Sequence, residues 1–264
     1  MDISILLNYL NKEIPASFAC SWDNSGLQVG RHGKDVKRIY VALDATEEVV
    51  DDAISKKCDF LLTHHPLLFK GVKQITSDTA VGRKLLKLIA NDVAVFSAHT
   101  SFDAVPGGMA DLAGILLQLE QTQPLEPMNG KDEDPWGIGI VGNLHQPMTL
   151  KLFCQKVKES FALDHINLFA GRHMQQPVRR IAVCPGSGRS LVDAVEAAEA
   201  DVFLTGDIGH HEGLDLVEQG VSVIDAGHFG LEKIFIPVMA DKLSQAFPLM
   251  EVYTAEFKAP FEVL

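Results

Sequence analysis

The 264-residue sequence contains an internal repeat, and this repeat limits the possible folds more than any other feature. An apolar run, a helix-like segment and a second apolar run occur in both halves, as RIYVAL, TEEVVDDAISKK and CDFLLTHHP and again as RIAVCP, SLVDAVEAAEA and DVFLTGDIGHH. Ile39 corresponds to Ile181, and Asp59 corresponds to Asp201 at the same offset. A third apolar run follows in each half, as VAVFSAHT and VSVIDAGH. The order of these segments indicates a duplicated structural unit.

The apolar runs are short, nearly continuous and rich in β-branched residues, which is typical of parallel strands covered on both faces. Segments between them, such as AVGRKLLKLIAND, have the periodicity of amphipathic helices. We therefore predict an α/β fold with two similar domains, in which mostly parallel strands are flanked by helices. The polar, proline-containing segment 121–137 is interpreted as the linker. The predicted domains are an N-terminal domain of residues 1–124 and a C-terminal domain of residues 125–264.

Histidines concentrate at the ends of the predicted strands. Six of the ten histidines lie just after such a strand: His64, His65, His99, His210, His211 and His228. Open α/β sheets bind their ligands at the carboxyl ends of parallel strands. The duplication supplies two such edges, and we predict a metal site in the cleft between the two domains.

Two adjacent histidines follow the apolar run FLLT and precede Pro66. In a continuing strand, the side chains of His64 and His65 would point to opposite faces of the sheet. Pro66 disfavours continuation of the strand, so both rings can reach one site. For an isolated pair, solvated surface histidines remain the more common explanation.

Three further candidate ligands follow the third apolar run of each half. Asp103 lies after VAVFSA, where an aspartate is also a common turn or helix-cap residue. His228 and Glu232 have the spacing that places two side chains on one face of a helix. Because proline is disfavoured inside a helix, Pro237 predicts that residues 228–232 lie on a turn before a helix that begins near Ile236.

The five candidates together supply three imidazoles and two carboxylates, without a thiolate. Such a set suits Zn, Mn, Fe, Co or Ni better than Ca. One catalytic zinc ion takes about three protein ligands and a water molecule, so five ligands favour a pair of ions. We predict two divalent metal ions per subunit, joined by a bridging carboxylate.

The net charge of −12 argues against nonspecific binding to nucleic acid or to an anionic membrane. A nucleotide bound through a metal remains compatible, because a local cation overrides the field of the whole protein. The four cysteines lack C-x-x-C spacing and are interpreted as small buried residues in a reducing compartment. With neither a signal-peptide pattern nor a long apolar span in the sequence, we expect a soluble, cytoplasmic protein.

Two further motifs have less specific interpretations. The first is WDNSGLQVG, which contains Trp22, Asp23 and Asn24; a rigid, glycine-closed turn is favoured over a substrate wall, with Trp22 as a packing residue. The second is PGSGR, a glycine-rich segment between a strand and a helix. Its backbone N–H groups could hold phosphate, but it lacks the full spacing of a phosphate-binding loop, and a tight turn is the more common explanation.

Five motifs in this order resemble the NIF-three-like family, whose members are often named type 2 GTP cyclohydrolase I. These motifs are SWDNSGLQVG (21–30), LLTHHPLLF (61–69), SAHTSFDAVPGG (97–108), LTGDIGHH (204–211) and DAGHFGLE (225–232). The resemblance implies a toroidal homohexamer of two-domain α/β subunits, with a dinuclear metal centre that faces an internal cavity. The metal ligands it implies are His64, His65, Asp103, His228 and Glu232, with Glu232 as the bridge. Asp207 stands where the family frequently has the longer glutamate.

The resemblance also implies a metal-dependent hydrolase that opens the guanine imidazole ring of GTP, or of a related nucleotide, and releases formate. His99, His210 and His211 are candidate general acids or partners that orient the ligands. Surface positions remain the alternative for His210 and His211. Two other functions stay open: phosphoester or amide hydrolysis of another small substrate, and a noncatalytic metal-binding hexameric scaffold.

Overall fold

The computed structural model describes residues 1–129 and 134–262, and the chain divides into two compact units. The first unit contains Met1–Phe102 and Phe235–Lys258. The second contains Asp103–Ile234 and the described residues from Ala259 on. These units differ from the predicted halves 1–124 and 125–264, because the second unit is inserted into the sequence of the first.

Helices and strands alternate along most of the chain. The helices are α1 (Ile3–Glu13), α2 (Glu47–Ser55), α3 (Ala80–Ala90), α4 (Thr100–Ala104), α5 (Met109–Leu117), α6 (Leu150–Ser160), α7 (Val192–Ala197), α8 (His210–Glu218), α9 (His228–Glu232) and α10 (Phe235–Ala246). The strands are β1 (Gly26–Val29), β2 (Arg38–Ala42), β3 (Phe60–Thr63), β4 (Ala94–Ser97), β5 (Leu119–Pro127), β6 (Gly137–Thr149), β7 (Asn167–Phe169), β8 (Pro177–Ser187), β9 (Val202–Gly206), β10 (Ser222–Asp225) and β11 (Glu251–Thr254). Within the described part of the chain, the helices are too short or too polar to cross a membrane.

The first unit contains a five-stranded sheet in the order β1-β4-β3-β2-β11. Strands β4, β3, β2 and β11 are parallel, and β1 pairs antiparallel with β4 at one edge. Strands β3 and β4 are buried along their whole length, as their continuous apolar runs predict. Leu61 and Val95 of this sheet belong to one core with Leu85 and Leu88 of α3. The parallel strands, and with them their carboxyl ends, are therefore held in place by a well-packed core.

The second unit contains a six-stranded sheet in the order β5-β6-β8-β9-β10-β7. The three central strands β8, β9 and β10 are parallel, and the outer pairings are antiparallel. The interpretation of segment 121–137 as a linker is wrong for its strand residues, because β5 pairs with β6 from Leu119 to Pro127. Residues 130–133 of that segment lie outside the described part. Its polar side chains and prolines are accommodated because β5 is an exposed edge strand.

The predicted duplication is confirmed by equivalent hydrogen bonds in the two units. Oδ2 of Asp59 accepts from the backbone N–H groups of Lys37 and Arg38 at 2.7 and 3.0 Å. Oδ2 of Asp201 accepts in the same way from residues 179 and 180, at 2.8 and 2.9 Å. The parallel order β4-β3-β2 in one sheet also matches β10-β9-β8 in the other. The two units are thus two versions of one α/β arrangement.

Candidate metal centre

His64 and His65 follow the carboxyl end of β3, which ends at Thr63 as the position of Pro66 predicts. The hydroxyl of Thr63 donates to the backbone carbonyl of His65 at 2.8 Å, which stabilises the turn at the strand end. The two rings lie 4.9 Å apart between centroids, so they do not point to opposite faces of the sheet. His64 is fully buried and His65 is partly buried.

Hydrogen bonds fix which nitrogen of each ring carries the lone pair. Nδ1 of His64 lies 2.7 Å from the carbonyl oxygen of Ala98, and Nδ1 of His65 lies 2.9 Å from Oδ1 of Asp44. Both partners are acceptors, so Nδ1 donates and Nε2 carries the lone pair in the neutral ring. Histidines that bind metals are oriented in the same way by carbonyl or carboxylate acceptors. Both rings therefore fit the role of Nε2 ligands.

His228 and Glu232 lie on the short helix α9 of the second unit. Phe235 begins the separate helix α10 and places Pro237 in its first turn, so the predicted helix start near Ile236 is confirmed. Residues 228–232 form a short helix and not the predicted turn. Nε2 of His228 and Oε2 of Glu232 are 3.0 Å apart, and Glu232 is almost fully buried. Two ligands that share one ion at about 2.0–2.2 Å are themselves separated by roughly 3 to 3.5 Å. The observed spacing fits chelation of one ion.

Asp207 orients His228 as Asp44 orients His65. Its Oδ2 accepts from Nδ1 of His228 at 2.8 Å, so Nε2 is the ring nitrogen directed to Glu232. The side chain of this aspartate, although one carbon shorter than the glutamate frequent in similar proteins, reaches the ring. All three candidate histidine ligands thus present the same nitrogen.

The negative charges of the Asp103 and Glu232 carboxylates both affect the pKa of the thiol of Cys184, which lies on β8. Burial raises the pKa of the Cys184 thiol, and the negative charges of Asp103 and Glu232 raise it further. These carboxylates therefore lie near the Cys184 thiol of the second sheet. Asp103 also lines a cavity of about 250 Å³ together with Asp111 and Trp136.

Gly186 leaves the space that the Glu232 carboxylate occupies. A Cβ atom at Gly186 would lie 2.3 Å from Oε1 of Glu232 and 3.6 Å from Nε2 of His228. Its backbone angle φ of +74° also belongs to the left-handed region that favours glycine. The glycine-rich segment PGSGR therefore forms a wall beside the candidate ligands of the second unit.

His99 is held by a buried aspartate in the first unit. Its Nδ1 lies 2.7 Å from Oδ1 of Asp23, whose side chain has no exposed surface. The centroid of the His99 ring lies 5.4 Å from that of His64 and 5.7 Å from that of His65. The structure therefore brings these three predicted histidines together, with Nε2 of His99 as its lone-pair nitrogen.

His210 and His211 are exposed and lie in the first turn of α8. Their rings contact each other, with 5.4 Å between centroids. Asp207, the partner of His228, lies only three residues before His210 along the chain. The proton-transfer role of these two histidines stays a prediction.

The sequence did not identify Asp44 as the partner of His65 or Asp23 as the partner of His99. The interpretation of Trp22 was wrong. Asp44 stands at the end of the run RIYVALD, two residues after β2. An acidic residue at the end of a strand could have indicated a partner for His65. Asp23 was interpreted as part of a rigid turn, and its contact with His99 joins residues that are far apart in the sequence. Trp22 was interpreted as a packing residue, but 61% of its surface is exposed.

The pKa of Asp23 predicts an acid-dependent loss of stability. Burial opposes ionisation of this carboxyl, but hydrogen bonds from His99, Ser25 and Thr100 outweigh burial and hold the pKa well below its usual value. Its stabilising contribution is therefore present above the usual aspartate pKa of about 3.9 and is lost as the pH falls further. We expect Asp23→Asn to cost about 1.5–3 kcal/mol of unfolding free energy at pH 7.

Guanidinium unfolding at a series of pH values tests this expectation. The difference between wild type and Asp23→Asn should shrink as the pH is lowered from about 5 to 2, because the Asp23 carboxyl takes up a proton in the unfolded chain while it stays ionised in the folded protein. Asp241→Asn, at an exposed position of α10, serves as the matched control and should cost little at any pH. A difference for Asp23→Asn that does not change with pH would contradict the assignment.

The fold and these geometries define a class of protein: a duplicated α/β chain with imidazole and carboxylate groups at its strand ends. Among the described residues, His64, His65 and Glu232 carry donor atoms that could hold a metal ion. The sequence matches the Duf34/NIF3 (NGG1p interacting factor 3) family over residues 1–260. The chain belongs to this family, and the resemblance predicted from its motifs is confirmed.

Similar proteins are found in bacteria, archaea and eukaryotes. A GTP cyclohydrolase 1 type 2 homolog from Clostridium acetobutylicum is 38% identical over 254 residues, which cover 96% of this chain and 94% of the relative. The protein NIF3 homolog of Schizosaccharomyces pombe is 32% identical and covers 87% and 84% of the two chains.

Solved structures share the fold over nearly the whole chain. Staphylococcus aureus protein SA1388 has a TM-score of 0.89 at 27% identity, covering 100% of this chain and 99% of that one. Reduced HcgD from Methanocaldococcus jannaschii has a TM-score of 0.84 at 29% identity, covering 96% and 97%.

Proposed function

We propose that this protein is a metal-dependent hydrolase of the GTP cyclohydrolase type, with two divalent ions per subunit. The proposed ligands are His64, His65, Asp103, His228 and Glu232, with Glu232 as the bridge. One observation carries the proposal: each of the three histidines has Nδ1 against a carbonyl or carboxylate acceptor, which is the orientation found in histidines that bind metals through Nε2. We further propose that the subunits form a homohexamer, as the resemblance implies.

Chain connectivity supports the proposed ligand set. The ring of His64 lies 5.3 Å from that of Phe235 and 6.4 Å from that of Phe102, measured between centroids. These two phenylalanines are the residues at which the chain leaves and re-enters the first unit. Asp103 follows Phe102 directly, and Glu232 precedes Phe235 by three residues. These short sequence separations support the proposal that both carboxylates belong to one ligand set with His64.

The chemistry of the donors agrees with divalent transition metals. Mixed imidazole and carboxylate ligands suit Zn, Mn, Fe, Co or Ni. When bound, a pair of such ions lowers the pKa of a water molecule and polarises the atom that is attacked.

Among the three candidate proton donors, the environment favours His99. Asp23 accepts the Nδ1 proton of His99, which fixes the tautomer and directs Nε2 to exchange protons with substrate. His99 also lies next to two proposed ligands, His64 and His65. We therefore assign it a two-part proton transfer: Nε2 accepts a proton from the attacking water molecule and then donates it to the leaving nitrogen of the opened ring. His210 and His211 are second choices because they are exposed.

Guanine nucleotides are the proposed substrate class, since relatives of 38% and 36% identity are named GTP cyclohydrolase 1 type 2 homologs. The test is release of formate from GTP by the full-length protein, after elemental analysis and reloading with each metal found. We expect formate release that His65→Ala abolishes and that His32→Ala, an exposed histidine of the same unit, leaves unchanged.

Each alternative has its own outcome in the same assay. A metal-loaded protein that releases no formate from GTP but hydrolyses a phosphoester or a dipeptide contradicts the proposed substrate and favours the second function. Loss of assembly or thermal stability in His65→Ala, without any turnover in wild type, identifies a noncatalytic scaffold.

A further inference from the structure

Two large aromatic side chains lie exposed in the first unit, next to His99. Trp22 is 61% exposed and Phe69 is 51% exposed, and their ring centroids lie 6.0 Å apart. The ring of His99 contacts both, at 6.0 Å from Trp22 and 6.4 Å from Phe69. Single exposed hydrophobic side chains are common and need no explanation. Two exposed rings that contact the same histidine are a different case, and we name Trp22 and Phe69 the aromatic pair.

The loops that carry the aromatic pair are tied to each other. The side-chain amide of Asn24 donates to the carbonyl oxygen of Leu68 at 2.5 Å. The backbone N–H of Leu68 donates to Oε1 of Gln28 at 2.9 Å. Both polar groups of the residue before Phe69 are therefore held by side chains of the WDNSGLQVG motif. A site that is ordered before binding loses less conformational entropy when it binds a ligand.

The buried carboxylate of Asp23 fixes the segment that carries Trp22. Asp23, the neighbour of Trp22, accepts hydrogen bonds from Ser25 and from the hydroxyl and backbone N–H of Thr100 in addition to His99. The same side chain thus positions Trp22 and orients the histidine that we assign to proton transfer. This arrangement places two exposed aromatic rings, tilted by 60° to each other, beside a polar reactive group.

We propose that the aromatic pair binds the planar heterocycle of the substrate by stacking, beside His99. This proposal relies on the proposed function only for the reaction that follows binding. The stacking of the ring itself does not depend on that function. Aromatic side chains stack on the π-face of any base, so the pair selects a purine ring and not one particular base. At a net charge of −12 the field of the protein opposes nucleotide phosphates, and ring stacking offsets this repulsion.

The second unit offers a rival location for such a ring. Trp136 lines the cavity of about 250 Å³ that also includes Asp103. Because Trp22 and Trp136 are the two tryptophans of the chain, single-tryptophan variants distinguish the locations. Trp136→Phe leaves Trp22 as the only tryptophan, and Trp22→Phe leaves Trp136.

Fluorescence titration of the full-length metal-loaded protein with GMP, AMP and ribose 5-phosphate tests the proposal. We expect GMP and AMP to quench Trp22 in Trp136→Phe, and ribose 5-phosphate to cause no quenching. Trp22→Ala should weaken GMP binding by about tenfold or more, whereas Trp22→Phe keeps a stacking ring and should lose much less. Leu249→Ala, which alters a fully exposed residue of the same unit, is the control and should bind GMP as wild type does.

Three results would overturn the proposal. Quenching confined to Trp136 would place the ring in the cavity of the second unit. An unchanged GMP affinity in Trp22→Ala, with or without a change in oligomeric state, would make the aromatic pair a structural or subunit contact. Complete lack of nucleotide binding by wild type would exclude the ring site altogether.

The readouts also separate this proposal from the proposed function. Binding is measured without turnover, so quenching of Trp22 supports stacking even when no formate is released. Conversely, formate release that is equal in Trp22→Ala and wild type over all GTP concentrations leaves the hydrolase intact and removes the stacking site. Metal content should be the same in both proteins, because neither aromatic side chain is a proposed ligand.

Discussion

Glu232→Gln is expected to remove most of the metal-dependent stabilisation of the protein and its formate release from GTP. The substitution keeps the shape of the side chain but removes the charge of the proposed bridging ligand. Loss of a residue that only orients a ligand already costs about 10–100-fold in metal affinity, so we expect at least about 100-fold here. At a metal concentration 100 times the wild-type Kd, stabilisation should fall from about 2.7 to about 0.4 kcal/mol.

The measurement combines elemental analysis with thermal unfolding in the presence and absence of Zn or Mn. Without metal, Glu232→Gln should unfold much as wild type does, because the amide can also form a hydrogen bond with Nε2 of His228. Glu218→Gln, at an exposed position of α8 in the same unit, is the matched control. Wild-type metal content and metal-dependent stabilisation in Glu232→Gln would exclude Glu232 as a ligand.

Gly186→Ala is the second substitution with a large expected effect, although Gly186 itself offers no ligand. The added Cβ would lie 2.3 Å from Oε1 of Glu232, so this buried carboxylate must move away from His228. We expect a loss of metal affinity comparable to that of Glu232→Gln. The left-handed backbone adds a cost of roughly 1–2 kcal/mol of unfolding free energy for a non-glycine residue.

Gly220→Ala separates these two effects. Gly220 has a similar backbone angle, φ +81°, and a Cβ there would meet no atom within 4 Å. This control should lose stability through backbone strain but keep its metal. The double variant Gly186→Ala/Glu232→Asp should recover part of the affinity, because the shorter acid leaves room for the methyl group. Equal metal binding by Gly186→Ala and Gly220→Ala would show that the wall beside Glu232 has no functional role.

The parts of the fold that depend on local sequence were predictable. Buried strands appear as continuous apolar runs, and the repeat at a constant offset indicated that Asp59 and Asp201 have equivalent positions. Their matching hydrogen bonds to backbone N–H groups follow from that equivalence. The end of β3 at Thr63 and the break before α10 were also predictable, because proline restricts the backbone locally.

Features that depend on long-range pairing were not predictable from local patterns. Strand β5 is polar because it lies at a sheet edge, and its composition resembles that of a linker. Strand β11 pairs with β2 across more than 200 residues, and nothing near residue 251 indicates that partner. The hydrogen bond between Asp23 and His99 was also unpredictable, because each residue taken alone fits a turn or a surface position.

The pairing of β11 with β2 has a practical consequence for fragments of this protein. Cutting the chain at residue 124 would remove the strand that covers β2, and the unsatisfied backbone groups along that edge would be available to neighbouring molecules. Such a fragment is prone to aggregate on expression, although it contains every residue of the first repeat. A minimal version of the first unit needs Met1–Phe102 joined by a short artificial loop to Phe235–Lys258.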